Sequence, residues 1–581
     1  MPQAHRQVAI APRPAGITSV APLQPKKRRA SKPKVRTGCV SCKTRRIKCD
    51  ERKPTCLRCS KDGFSCDGYE GHPNGTSTAK ALMPVWSHPH WRNPYLSRFA
   101  NQGDAQYLDF FRGQLVDELS GYSHSEFWLR IVPYESTIDR CALESVLAIG
   151  ALSTAIRLAP QLSAQSTRRP SALHPWSVIV MANVHHEAAV RHYIKALILF
   201  RNRLEEEMDK QSPRSLFIVS LLLITFELLQ GDMKSADSLI TRSITLLKHA
   251  LKLHRQEGLA QQIQAPRPLE DDMEDMEHLL PLISIMGGYT PFLLSQSSNI
   301  QLWDTTCGMD LPHAGQSSIS KLDIQWNKFH ALAVAFIGAT MNFQTLPLPQ
   351  QRETEQQKTL LLAQLRVWQT EFDSWCGAGK TCVEPAHMRT LQIMQIQHQT
   401  LLICVSCCLD ATDMMYDDFE AEFHVLLARC VKYLRELRPT YLFTLSTSIL
   451  SALLVVVNRC RVHNIRMMAA GIIRQIQWRE GAWEPALMLN GKLGGVLMEE
   501  RSRNEDGFVP SDCRWFWAAT EWEVGRKQLI ATYARAAPDA SGQPVNKTLV
   551  LDTDKIIDVC SDIGCRLDHD IKHLDLLSGT R

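Results

Sequence analysis

Six cysteines within 28 positions near the N-terminus are the residues of this chain best suited to do chemistry. They follow the spacing C-x2-C-x6-C-x6-C-x2-C-x6-C, at Cys39, Cys42, Cys49, Cys56, Cys59 and Cys66. The last three repeat the first three with an offset of 17 residues. Two thiolates separated by two residues can chelate one soft metal ion from a single turn of chain. The pattern therefore predicts a metal–thiolate cluster.

The number of sulfurs predicts how many ions the cluster holds. Zinc prefers four ligands in a tetrahedron, so one ion leaves two cysteines unused and two independent ions need eight ligands. No histidine lies between His5 and His72 to supply the difference. Two zinc ions that share two bridging thiolates use all six sulfurs. Because Cys39 and Cys56 stand first in each half of the repeat, they are the predicted bridges.

Other uses of the six cysteines fit the sequence less well. Disulfides are typical of small secreted proteins, but the chain starts without an apolar signal segment. An iron–sulfur cluster needs four cysteines at other spacings. A single four-cysteine zinc knuckle gives Cys49 and Cys66 no role. Zinc is therefore the predicted metal.

Cationic residues surround the cluster. Residues 26–66 contain 15 Lys or Arg and three Asp or Glu, although the whole chain carries a formal charge of only +6. The basic run 26–36 is typical of a nuclear-import signal or of an arm that contacts the DNA backbone. Residues 1–25 lack apolar periodicity and are expected to be disordered. A small cationic module on a mildly acidic body predicts a nucleic-acid partner.

The stretch from Arg36 to Cys66 resembles the fungal Zn(II)2Cys6 binuclear-cluster transcription factors. The run C-K-T-R-R-I-K-C-D, from Cys42 to Asp50, is similar to the family signature C-x-x-R-R-x-K-C-D. The resemblance implies a DNA-binding domain at 37–68 with two short helices and two zinc ions. It also implies a nuclear regulator of RNA polymerase II transcription that controls a metabolic or secondary-metabolite pathway.

The same resemblance implies how the module contacts double-stranded DNA. A basic side chain at the position of Arg46 reads CGG-like triplets in the major groove, with help from the backbone around Arg45. Arginine suits the O6 and N7 acceptors of guanine. The positions of Lys43, Lys48 and Arg58 contact or face phosphates.

Residues 69–103 are rich in Gly, Pro, Asn and Thr and are predicted to form a linker. Prolines at positions 73, 84, 89 and 94 interrupt any heptad pattern that could form a coiled coil there. Two alternatives therefore stay open: the chain binds DNA as a monomer, or it forms a homodimer through its large C-terminal domain.

Residues 104–581 are predicted to form a large all-α regulatory domain. In 232–254, apolar residues recur at three- and four-residue steps, which is typical of one helix face. Gly231 suits the end of the preceding helix and Asp232 the cap of this one. The apolar run Leu216–Leu229 is too short for a membrane span and is predicted to be a core helix, so no membrane partner is expected. Breaks are predicted at 160–177, 258–270, 345–354, 377–385 and 484–512.

Four short stretches of this region are similar to the fungal-specific regulatory domain that follows such clusters. They are Phe110-Phe111, Phe127-Trp128, His192 to Leu197, and Phe226 to Gly231. The resemblance implies a domain that controls activation, in some members by binding a small-molecule effector, the transcription machinery or a co-regulator.

No catalytic pattern stands out, so an enzyme is not predicted. The sequence has no H-E-x-x-H, no phosphate-binding loop and no G-x-S-x-G. The glycine-rich run Gly491–Gly495 is predicted to be a loop, because no strand precedes it. Cys404, Cys407 and Cys408 are predicted to be buried reduced thiols. The histidines from His185 to His192 are assigned to a polar helix face. The aromatic group Trp515-Phe516-Trp517 with Trp522 could line a ligand pocket but is assigned to plain core.

Two other functions remain open at this point. The first is a zinc-sensing or redox-sensing cluster protein whose helical domain binds a metabolite such as a sterol. The second is an enzyme with a DNA-binding appendage, which only the size of the C-terminal region favours.

Overall fold

A computed structural model describes two compact units, Met1–Trp91 and Arg92–Arg581. The structure describes residues 38–63, 66, 102–122, 127–164, 184–205, 213–246, 319–377, 385–436, 442–523, 528–535, 545–552 and 557–559. Within these ranges, it leaves out residues 40, 43–44, 46, 233–234, 237, 244, 447 and 482. The predictions for residues 1–25, the basic run 26–36 and the linker 69–103 lie almost wholly outside these ranges.

The cysteine-rich unit contains one short helix whose bounds are described, α1 (Leu57–Lys61). Ser41 and Cys42 are also helical, and the Arg45 N–H donates to the Ser41 carbonyl at 3.1 Å. The first of the two predicted helices is thus described only at its start.

The larger unit is mainly helical, as the sequence predicted. In its first half the helices are α2 (Gln102–Phe110), α3 (Val116–Ser120), α4 (Val132–Ile138), α5 (Arg140–Ala164), α6 (Val184–Glu205) and α7 (Pro213–Gln230). In its second half they are α8 (Ile319–Ala339), α9 (Leu348–Gly377), α10 (Pro385–Cys407), α11 (Glu420–Glu436), α12 (Leu450–Arg459), α13 (His463–Ile473) and α14 (Pro485–Arg501). Short helical turns lie between these helices. Two are π-helical, at Phe111–Leu115 and Phe127–Ile131, and three are 3-10 helical, at Thr340–Thr345, Met414–Phe419 and Ser511–Cys513.

Two hydrophobic cores hold these helices together. The larger core runs from the buried face of α2 through α7 and α12 to α14. The smaller core forms where α8, α9 and α10 pack around Trp326, Trp368 and Phe372. The two tryptophan rings meet edge to face, with centroids 5.1 Å apart, which aromatic pairs favour.

The apolar run Leu216–Leu229 lies in α7 with almost every side chain buried in the larger core, as predicted. One described helix segment, Arg140–Leu158, is long and apolar enough to cross a membrane. Within it, 78% of the apolar window is buried inside the protein, and burial of this kind is typical of a core helix.

The predicted helix boundary at Gly231 and Asp232 is confirmed. Gly231 has φ +89° and donates its N–H to the Glu227 carbonyl at 2.9 Å, which is how a C-terminal glycine closes a helix. Asp232 accepts from the Ser235 N–H at 3.0 Å, which is an N-terminal cap.

The all-α prediction needs correction, mainly at residues 515–523, 528–535 and 546–552. These residues form an antiparallel sheet of β3 (Trp515–Glu523), β4 (Gln528–Arg535) and β5 (Asn546–Asp552), in that order. Trp517 pairs with Tyr533, and Tyr533 with Lys547. Alternate residues of β4 are buried, which is the period of a half-buried strand. Two shorter strands, β1 (Phe443–Thr444) and β2 (Arg479–Glu480), pair in parallel.

The predicted loop Gly491–Gly495 is wrong, and the predicted break at 484–512 is wrong over 485–501, because these residues are helix α14. Residues 502–510 are turns and extended chain, as expected of a break. A Cβ added at Gly491 or Gly494 would collide with the rings of Trp517 and Tyr533. The glycines therefore make room for the sheet to pack on the helix. The break predicted at 345–354 is also wrong from residue 348 onward, where α9 begins.

A buried ion network ties the end of α14 to its neighbours. Arg466 is fully buried and donates to Glu499 at 2.6 Å and to Glu500 at 3.0 Å. Arg461 reaches Glu499 at 3.0 Å. Burial alone raises the pKa of Glu500, but hydrogen bonds from His463 and Arg503 outweigh burial and bring that pKa down to about 2.

Candidate metal centre and nucleic-acid interface

The cysteine sulfurs lie at the separations that tetrahedral zinc requires. The Sγ of Cys39 is 3.6 Å from that of Cys56 and 3.9 Å from that of Cys59. The Sγ of Cys42 is 3.7 Å from that of Cys56. A zinc–sulfur bond of about 2.3 Å gives a tetrahedron with edges of about 3.8 Å. These separations match the edges of a tetrahedral zinc site.

The six sulfurs form two overlapping sets of four. Within each set the sulfurs lie within 4.8 Å of one another, and the sets are Cys39, Cys42, Cys49, Cys56 and Cys39, Cys56, Cys59, Cys66. Cys39 and Cys56 belong to both sets, as expected for bridging ligands. All four of Cys39, Cys42, Cys56 and Cys59 are buried. This arrangement can hold two zinc ions through two shared thiolates.

Backbone N–H groups reinforce the sulfurs in a pattern that repeats in both halves. The Cys39 N–H donates to the Sγ of Cys49 at 3.4 Å, and its counterpart, the Cys56 N–H, donates to the Sγ of Cys66 at 3.4 Å. Cys42 donates to Cys39 at 3.4 Å, and Cys59 to Cys56 at 3.3 Å. The 17-residue repeat of the sequence is therefore a local two-fold repeat in space.

Without a bound cation, burial favours the neutral thiol over the thiolate in this cluster. Burial raises the pKa of the Cys42 thiol to about 12, and burial raises the pKa of Cys39 as well. Since only thiolates bind zinc strongly, metal binding at neutral pH releases protons from these sulfurs.

Asp50 fixes the start of the second half, a role that the motif alone did not reveal. Its carboxylate accepts from the N–H groups of Leu57 and Arg58, each at 3.0 Å. These two residues open α1, whose first N–H groups have no partner within the helix. The Arg58 N–H is the main cause that lowers the pKa of Asp50. The carboxylate thus stays charged and orients α1 against the cluster.

Three of the five predicted DNA-contacting residues are described. Lys48 and Arg58 are exposed, and Arg45 is half-buried. Lys43 and Arg46 lie outside the described residues. The carboxylate of Asp62 forms ion pairs with Arg45, at 3.0 Å, and with Arg58, at 3.4 Å. The structure therefore adds an acidic residue to the cationic surface that the sequence predicted.

The other chemical candidates fall into the interior of the larger unit. Cys404 and Cys407 are buried and free, as predicted, whereas the third predicted thiol, Cys408, is free but only half-buried. The polar-face assignment is wrong for His192, which is buried between Glu144 at 2.6 Å and Asp104 at 3.2 Å. Among the described residues, the only groups of three or more side chains placed to bind one metal ion are the two cysteine sets.

Comparison with known proteins places the cluster in a family of domains. Residues 37–75 match the Fungal Zn(2)-Cys(6) binuclear cluster domain. The chain is 47% identical over 62 residues to an uncharacterized transcriptional regulatory protein of Schizosaccharomyces pombe, which covers 10% of this chain and 11% of the relative. It is 59% identical over 44 residues to White-opaque regulator 2 of Candida albicans, 8% of this chain and 10% of that protein.

A third relative is named for a biosynthetic pathway. The chain is 56% identical over 34 residues to the Aspercryptin biosynthesis cluster-specific transcription regulator atnN of Emericella nidulans, 6% of each chain. The chain therefore spans about a tenth or less of the length of these relatives. No solved structure matches it.

The match and the sulfur geometry lead to one conclusion about the module. Residues 37–75 are a binuclear zinc domain of the kind that transcription regulators carry, and its six cysteines hold two zinc ions. The resemblance of residues 104–581 to a fungal-specific regulatory domain stays a prediction.

Proposed function

We propose that this chain is a sequence-specific DNA-binding transcription factor of the RNA polymerase II type, which acts in the nucleus. The observation that carries the proposal is the pair of overlapping four-sulfur sets within a segment that matches the binuclear cluster domain. Between Cys42 and Cys49, within the first half of the cluster, the chain carries cationic residues in the order that the family signature requires.

Zinc has a structural role in this proposal. A module of about 30 residues buries too little apolar surface to fold alone, so metal binding supplies its folding free energy. The apolar core of the described module is little more than the cysteines and Ile47. Six thiolates and two zinc ions carry a formal charge of −2, which the nearby lysines and arginines offset.

The cationic side chains divide into base-reading and backbone-contacting groups. Arg46 reads guanine in CGG-like triplets through two hydrogen bonds in the major groove. Lys43, Lys48 and Arg58 fix the module on phosphates, which position a protein but carry no sequence information. The exposure of Lys48 and Arg58 supports this role.

The larger unit is proposed to regulate the activity of the DNA-bound protein. Its two hydrophobic cores support helices extensive enough to bind co-regulators, the transcription machinery, a second copy of the chain or a small-molecule effector. Control of a metabolic or secondary-metabolite pathway is supported by the printed name of one relative, a regulator specific to aspercryptin biosynthesis.

Binding of the zinc-loaded full-length chain to a CGG-containing duplex and to a scrambled duplex tests the proposal. We expect Arg46→Ala to weaken binding to the CGG duplex by about 1–3 kcal/mol and to relax triplet preference. The matched variant Arg58→Ala should weaken binding to both duplexes equally. With about five phosphate contacts, the logarithm of the binding constant should fall with the logarithm of salt with a slope of roughly −4 or steeper.

Two results contradict the proposal. One is an Arg46→Ala variant that binds both duplexes with unchanged affinity, which removes the base-reading role. The other is a chain that holds two zinc ions and shows no preference for CGG-containing DNA. That second result favours a zinc-sensing or redox-sensing cluster protein.

A further inference from the structure

Arg45 and Asp62 occupy equivalent positions in the two halves of the cysteine repeat. They are 17 residues apart, the same offset that relates Cys39 to Cys56 and Cys42 to Cys59. Their side chains also meet, with the Arg45 Nη2 3.0 Å from the Asp62 Oδ2. Equivalent residues can touch only where the local two-fold axis passes close by, as the sulfurs of Cys39 and Cys56 do at 3.6 Å.

The two residues break the symmetry of the repeat by charge. A perfect repeat would place arginine opposite arginine next to the axis, where like charges repel. Aspartate at position 62 converts this contact into an attraction between the first and second halves. The same carboxylate oxygen forms an ion pair with Arg58 at 3.4 Å. Asp62 therefore pairs with one cationic side chain from each half.

Partial burial of Arg45 and Asp62 reduces the screening of their electrostatic attraction by solvent. The side chain of Arg45 is 29% exposed and that of Asp62 is 28% exposed, whereas Arg58 is 57% exposed. Partly buried pairs are screened less than surface pairs. The Arg45 side chain is therefore held more firmly than the Arg58 side chain.

Arg45 stands next to the residue proposed to read bases. On the two sides of position 46, the Arg45 N–H donates to Ser41 and the Ile47 N–H donates to Cys42, each at 3.1 Å. The ion pair with Asp62 adds a side-chain anchor to these two backbone anchors. Together they fix the chain on both sides of position 46.

We propose that Asp62 is a positioning residue that determines the sequence specificity of the module. It holds Arg45 against the second half of the repeat, which orients the neighbouring base-reading position. It also restrains Arg45 from contacting phosphates regardless of sequence. This inference rests on the DNA-binding function proposed above.

Removing the charge of Asp62 separates affinity from specificity. In the zinc-loaded full-length chain, we expect Asp62→Asn to raise affinity for a scrambled duplex, because the module gains one net positive charge. The ratio of affinities for the CGG duplex and the scrambled duplex should fall about two- to fivefold, because this factor corresponds to the free energy of a partly exposed ion pair. Asp62→Glu keeps the charge and should restore the ratio.

Glu51→Gln is the matched control. It removes the same charge from an exposed residue of the same module that takes no part in the Asp62 ion pairs. We expect it to raise both affinities by the same factor and to leave their ratio unchanged. Each variant is to be measured for zinc content before binding.

The outcomes separate the two proposals. An Asp62→Asn variant that behaves like Glu51→Gln overturns the specificity role and leaves DNA binding intact. An Asp62→Asn variant with clearly less than two zinc ions also overturns it, since Asp62 is then a folding residue. If the unmodified chain does not distinguish the two duplexes, the proposed function itself fails and this inference fails with it.

Discussion

The phenol of Tyr533 donates a hydrogen bond to the backbone carbonyl of Gly491 at 2.6 Å. This contact joins strand β4 to the middle of helix α14. It explains why a segment with glycines at 491, 494 and 495 is helical despite the poor helix propensity of glycine. The missing side chains admit the rings of Tyr533 and Trp517, and burial of those rings offsets the cost of the glycines.

Adding a methyl group to this face should therefore destabilise the larger unit. A Cβ at Gly494 would overlap the phenol of Tyr533, and overpacking of this kind costs about 1–3 kcal/mol. We expect Gly494→Ala to lower the free energy of unfolding in urea by this amount. In Gly113→Ala the new Cβ meets nothing within 4 Å, so this control should gain up to about 1 kcal/mol. Equal effects would contradict the packing argument.

The shared sulfurs should be distinguishable from the unshared ones by zinc stoichiometry. Cys39 belongs to both four-sulfur sets, whereas Cys49 belongs to one. We expect Cys39→Ser to lose both zinc ions, because it leaves no complete set. Cys49→Ser leaves the other set complete and should retain about one zinc ion. Elemental analysis of the two purified variants checks this, and equal zinc content in both would show that the sulfurs are not shared as described.

Lys492 should make the stability of the larger unit depend on pH. Burial lowers its pKa to about 7, compared with about 10.4 in an unfolded chain. Between these values the unfolded state holds a proton that the folded state lacks, so stability rises with pH. The slope is about 1.4 kcal/mol per pH unit and vanishes below about pH 7.

Lys492→Met removes this contribution. We expect the variant to gain about 2–3 kcal/mol more at pH 7 than at pH 9, relative to the unmodified chain in urea unfolding. Lys547→Met, at an exposed position of β5, is the control and should show no such difference. Parallel pH profiles for Lys492→Met and the unmodified chain would mean that Lys492 is charged in the folded state.

Arg466 should be among the most sensitive positions of the larger unit. It is fully buried between Glu499 and Glu500, and its loss leaves buried carboxylates with less compensation. Breaking a buried pair from one side costs about 3–5 kcal/mol, so we expect Arg466→Met to lower the free energy of unfolding by that amount. Arg501→Met, at an exposed position of α14, the helix that carries Glu499 and Glu500, should change it by less than about 0.5 kcal/mol. Similar losses of stability in the two variants would contradict a special role for the buried ion pairs of Arg466.

The helical pattern of the larger unit could be predicted only in part. Local signals placed the boundary at Gly231 and Asp232 correctly, because capping depends on the backbone within one turn. The sheet at 515–552 was missed, since its alternation of buried residues in β4 depends on α14 covering one face. The glycines of α14 look like a loop until their aromatic neighbours are known.

The sequence by itself determined the metal centre. The spacing of six cysteines sets the number of sulfurs, the number of zinc ions and the identity of the two shared ligands, because chelation by C-x2-C depends on local chain geometry. The tertiary structure alone decided that Asp62 meets Arg45, that His192 is buried between two carboxylates, and that Gly491 faces Trp517. Such contacts join residues distant in the chain, and no local pattern encodes the packing that brings them together.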